Sequence, residues 1–187
     1  TRVASGLGTK ELAAYQVLLQ IWLFFSYWID GLAITGNIYG AKFTSEGAQE
    51  ADHQTFRLMW SRLSYWGLFM GIVFILIGVT VPEQVMSIFT NDMMVKKLIT
   101  PLLPWVLLSF PVCSIAYVLD GVMFGQGQFH YLKTHIMIGF IIGFLPFLIY
   151  ADKYQIFWPI WIGMITMTAY RALTNFYKLN EKSLTTV

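Results

Sequence analysis

Five apolar runs, each near the length needed to cross a bilayer, constrain this chain more than any other feature. A membrane-spanning helix takes about 20 apolar residues. The runs lie at roughly residues 12–38, 58–81, 101–124, 131–150 and 156–177. Charged residues make up 12% of the chain, about half of the roughly 25% usual in soluble domains. No run alternates polar and apolar residues at period two, which argues against a β-barrel. The expectation is an all-α membrane protein, a bundle of five transmembrane helices whose first partner is the lipid bilayer.

The remaining composition excludes several functions. Net charge is near neutral and no basic block points to nucleic acid. Cys113 is the only cysteine and sits in an apolar run, where a small packing residue is expected. His130 and His135 are five apart with no acid or thiol beside them, so no metal site is expected. No serine stands in a nucleophile elbow, and "GQG" at residues 125–127 is too short to cradle phosphate. No catalytic residue, metal or cofactor is expected. Trp60, Trp66, Trp105, Trp158 and Trp161 stand near run ends, the positions favoured at a membrane interface.

Two connections are long. Residues 39–57 are polar and expected to be partly helical. Residues 82–101 are amphipathic, and "NDMMVKK" carries the acid-first, base-last order that helices favour, so a short interfacial helix is expected there. Gly36/Gly40 and Gly139/Gly143 form GxxxG pairs for close helix packing. Pro104, Pro111, Pro146 and Pro159 fall inside or at the start of membrane segments, where they kink helices.

The chemistry lies in the polar residues that interrupt the runs. On the first segment Gln16, Gln20, Tyr27, Asp30 and Asn37 fall on one helical stripe, with Leu23 and Ile34 in the gaps. Lipid cannot satisfy such a stripe, so it must face protein or a water-filled cavity. The third segment has a thinner version in Ser109, Cys113, Tyr117 and Asp120. "YWIDG" at 27–31 and "YVLDG" at 117–121 repeat one pattern, with each tyrosine three residues before its aspartate on the same face. An aspartate at mid-membrane costs about 2.5–3.5 kcal/mol on insertion scales. Neither segment offers a lysine or arginine at similar depth, so the functional expectation is a proton- or cation-responsive cavity. The alternative is structural: the acids bond neighbouring helices, the glycines permit close approach and the tyrosines pack.

Basic residues set an expected orientation. Lys42, Arg57, Arg62, Lys133, Arg171, Lys178 and Lys182 would lie on one side, and Arg2, Lys10, Lys96, Lys97 and Lys153 on the other. The larger set is expected in the cytoplasm, with the C-terminal tail. The N-terminus would then lie outside with no apolar leader before it, which points to a further membrane helix upstream.

The blocks "ELAAYQVLLQIW", "YWIDGLAITGNIYGAKF", "SIFTND" and "YVLDGVMFGQG" followed by "YLK" resemble, in order and spacing, the second half of a multidrug and toxic compound extrusion (MATE) transporter of the DinF-like branch. The resemblance covers nearly the whole chain. It implies twelve helices in two six-helix lobes, with this chain supplying the eighth to twelfth and the N-terminal lobe missing. It implies a secondary active antiporter of a bacterial inner membrane that exchanges protons or sodium ions for small amphipathic, often cationic, compounds. Asp30, Asp120, Tyr27, Tyr117, Gln20 and Asn37 would line its substrate and ion cavity. The chain departs from the family at Gln128, Phe129 and His130, where "GDTR" is common, and at Gly36 and Asn37. Two rival readings remain: a flippase for a lipid-linked precursor in the same superfamily, against which the scarcity of buried cations counts, and a non-transporting membrane scaffold.

Overall fold

A computed structural model of the chain describes residues 9–44 and 51–184. The long helices are α1 (Thr9–Lys42), α2 (Ala51–Thr80), α5 (Leu103–Gly125) and α8 (Trp158–Leu184). Two short helices, α3 (Pro82–Phe89) and α4 (Met93–Ile99), fill the amphipathic connection. Helices α6 (Phe129–Gly139) and α7 (Leu145–Tyr154) are joined by a π-helical turn, Phe140–Phe144, into one continuous span. Residues 1–8, including Arg2, lie outside the described residues, as do 45–50 of the first long connection and the side chain of Lys182.

Among the described residues, four elements are long and apolar enough to cross a membrane: Thr9–Lys42, Gln54–Thr80, Leu103–Gly125 and Phe129–Tyr154. The fifth expected span corresponds to α8, which has the length, 27 residues, but not the apolarity. Arg171, Asn175, Lys178 and Glu181 interrupt it. Expected and observed counts therefore differ by one, and two of the polar residues responsible, Arg171 and Asn175, prove to belong to the site.

Helix α5 is the central post. Along its length it buries residues from Leu103 to Met123, and α1, α2 and α8 pack around it. Near its start, Phe110 meets Phe25 of α1 and Phe74 of α2 with ring centroids 5.0 Å and 6.0 Å away. Near its end, Leu119, Val122 and Met123 pack with Trp60, Leu132 and Leu179. Trp60 and Trp161 are therefore core residues, at 3% and 0% exposure, and not interface anchors as expected. Their position near a run end carried no information about which face of the helix they occupy. Trp66 is exposed, and Trp105 stacks on Trp158 at 6.2 Å. Cys113 is buried as a packing residue.

Local chemistry explains the helix ends and bends. Asp92 caps α4 by accepting from the backbone N–H of Met94 and Val95, at 2.8 Å and 3.4 Å, and Lys96 and Lys97 fall in its last turn. Pro82 and Pro104 stand in first turns, where the missing N–H is harmless. Pro111 lies inside α5. Pro146 follows the π turn, in which the Leu145 N–H reaches the Phe140 carbonyl. The wide turn is one way to accommodate a proline ring within a span. Gly127 has φ +70° and turns the chain from α5 into α6.

Candidate functional site

Helices α1 and α5 run parallel and touch at small residues. A Cβ added at Gly121 would collide with the Ala33 carbonyl oxygen, and one at Gly125 with the Asn37 carbonyl oxygen. From the other side, Gly36 and Gly40 pack on Val118, Val122 and Gly125. Contact partners rise together along both chains, so the two Asp-Gly motifs stand at about the same level. Their spacing of 90 residues thus becomes a spatial neighbourhood.

That neighbourhood is an open groove of about 420 Å³. Asp30 and Asn37 enter it from α1, and Tyr117, Asp120 and Phe124 from α5. Four of the six expected site residues are brought together there. The other two are not: Gln20 and Tyr27 are exposed on α1 outside the groove, and Tyr27 is 69% exposed. Along the stripe from Gln16 to Asn37 every residue is exposed except the half-buried Asp30, while Ala14, Leu18, Ile21, Phe25 and Ile29 form the buried face.

The two motifs are not equivalent. Gly121 is jammed against α1, whereas Gly31 has open space around it. Tyr117 is half-buried, edge-on to Trp22 at 6.4 Å. Asp120 is buried and Asp30 only half-buried.

Their partners differ too. Arg171 Nη2 donates to Asp120 Oδ2 in a short, largely buried ion pair. Asn175 Nδ2 donates to Asp120 Oδ1 at 2.6 Å. Both donors come from α8, four residues apart and hence on one face. The expectation of an unpaired Asp120 is therefore overturned. Its cation comes from a different segment, which a comparison within each run could not reveal. Asp30 has no hydrogen-bond or ionic partner among the described residues. Arg171 Nε and Asn175 Oδ1 are buried without partners among them as well. The groove thus combines one neutralised acid, one open acid, an amide and a phenol.

Arg171 and Asn175 are the site residues that sequence reasoning missed. The signal was present: Thr168, Arg171 and Asn175 make a polar stripe on α8 of the same kind as that on α1. Counting Arg171 as a cytoplasmic loop charge concealed it. Removing it from that count leaves six basic residues against five, so the orientation bias nearly vanishes.

An apolar helical bundle with four elements able to cross a membrane among the described residues is an integral membrane protein. The MatE family profile matches residues 1–150, and this chain belongs to that family. It is 32% identical over 178 residues to Protein DETOXIFICATION 43 of Arabidopsis thaliana, covering 95% of this chain and 33% of that protein. Protein DETOXIFICATION 42 of the same plant is 30% identical with the same coverage. Protein DETOXIFICATION 44, chloroplastic, is 28% identical over 98% of this chain and 34% of its own length. The chain spans about a third of the length of these relatives.

Proposed function

We propose that the chain is part of a secondary active efflux antiporter, exchanging protons or sodium ions for amphipathic, often cationic, compounds. Membership of the MatE family supports efflux of toxic compounds, and family proteins are transporters, so no catalytic residue is assigned. The observation that carries the site is the groove joining Asp30, Asn37, Tyr117 and Asp120. Asp30 is the group that takes up the coupling ion or cationic substrate, because Asp120 is already neutralised by Arg171. Asp120 holds α8 against α5 and sets one wall of the groove.

The exposed stripe on α1 supports the lobe reading. Gln16, Gln20 and Tyr27 are outward-facing, and hydrocarbon cannot satisfy their polar groups. A second lobe across the groove would cover them and close a central cavity. A self-contained scaffold would leave them against lipid. Assignment to the eighth to twelfth helices of a DinF-like transporter rests on the order of the sequence blocks. The flippase reading no longer lacks a buried cation, but Arg171 is matched by Asp120 and leaves no spare charge for a phosphate. The relatives are plant proteins, so the bacterial inner membrane stands beside plant membranes as a location, and a cytoplasmic C-terminus rests on the remaining charge bias.

The test uses the protein produced from its native gene in a drug-sensitive host. Asp30→Asn at equal membrane abundance should reduce resistance to that of cells carrying an empty vector, whereas Tyr27→Phe should leave it unchanged. Resistance undiminished by Asp30→Asn would sink the assignment.

A further inference from the structure

We infer that a second groove, at the membrane boundary and away from the Asp30 site, binds an acidic phospholipid through its head-group phosphate. This groove measures about 680 Å³, within the roughly 300–1,000 Å³ range of small-molecule sites. Its deep walls are Ile75 and Val79 near the end of α2 and Leu103 and Leu107 near the start of α5. By helical rise these walls reach roughly 6–8 Å below the helix ends. The outer rim is made by the short helices α3 and α4, with Lys96, Lys97 and Glu83 upon it.

The arrangement matches one amphiphile. An acyl chain fits the walls, which are continuous with the lipid-facing surface of the spans: Val79 is 64% exposed and Leu108 52%. The phosphate fits the rim, where two lysines and one glutamate leave a single net positive charge. Lys96 Nζ donates to Ser87 Oγ at 2.7 Å, which braces it across from α4 to α3. Lys97 is exposed and has no ionic partner among the described residues, and neither has Glu83. Basic pockets between transmembrane helices recognise acidic head groups in this way. Glu83 offers an acceptor for hydroxyls, so the head group is anionic and hydroxylated, as in phosphatidylglycerol. A stack of apolar side chains alone would bind any lipid; the rim charges make the site selective.

The experiment titrates the protein from its native gene, purified in nonionic detergent, with dioleoyl phosphatidylglycerol, the phosphatidylcholine and phosphatidylethanolamine of the same chains, and glycerol phosphate. Native mass spectrometry reads the bound species. Phosphatidylglycerol is expected to bind most tightly, and glycerol phosphate far more weakly because it lacks the chain. Each lysine near a phosphate contributes about fivefold in affinity, so Lys96→Gln with Lys97→Gln should weaken phosphatidylglycerol about twenty-five-fold. Lys97→Gln alone, at an exposed position that no packing depends on, should weaken it about fivefold. Leu108→Trp should weaken it by filling the groove while leaving both lysines in place. Equal binding of the three lipids, binding of glycerol phosphate as tight as the lipid, or affinity unchanged in Lys97→Gln would each overturn the proposal.

Discussion

Replacing Arg171 by methionine is expected to destabilise the helix bundle by about 3–5 kcal/mol, because it strands the buried carboxylate of Asp120. Replacing Asp120 by asparagine should do comparable damage from the other side, leaving the Arg171 guanidinium without its anion. Combining the two should restore much of the loss. Once both charges are gone, Asn175 still has an oxygen to which it can donate at position 120. The coupling expected between the two sites is therefore larger than either single loss, above about 3–5 kcal/mol, and exceeds the usual range for residues in contact. Reversible unfolding of the native gene product in mixed micelles measures it. Strictly additive losses would mean that the ion pair does not hold α8 to α5.

The second large effect separates the twin motifs. Gly121→Ala would place a methyl group against the Ala33 carbonyl, with backbone on both sides. Forcing α1 and α5 apart should cost about 1–3 kcal/mol, the usual range for overpacking. Gly31→Ala meets open space, and alanine is a better helix former by about 1 kcal/mol, so stability should hold or rise. Thermal unfolding of the two variants side by side provides the comparison. Equal destabilisation would contradict the asymmetry between "YWIDG" and "YVLDG".

Much of the architecture was legible because lipid imposes simple rules. Run length located all the long helices, and the charge order of "NDMMVKK" located α4 with its Asp92 cap. The block order named the family. Spacing showed that Asp30 and Asn37 share a face of α1, and the structure joins that face to Tyr117 and Asp120 in one groove. What stayed hidden depended on tertiary pairing. Nothing in "YVLDG" reveals that Arg171, 51 residues on, neutralises its aspartate. Nothing in a tryptophan near a run end distinguishes Trp161 in the core from Trp66 on the surface. The apolarity of α8 was overestimated for the same reason, since Arg171 and Asn175 are satisfied by Asp120 of α5 and not by water.

Sequence repetition suggested two equal acids, but environment divided them: one paired and structural, the other open. The helix-packing role falls to Gly121, while Asp30 is left open to the groove.

The most direct test of the central claim is gradient-driven exchange in proteoliposomes. The native gene product is reconstituted, a proton or a sodium gradient is imposed, and efflux of a fluorescent organic cation is followed for wild type, Asp30→Asn and the double variant Asp120→Asn with Arg171→Met. Wild type should respond to one of the gradients, the double variant should retain that response, and Asp30→Asn should lose it. Gradient-driven exchange that survives Asp30→Asn at wild-type rate would contradict the account.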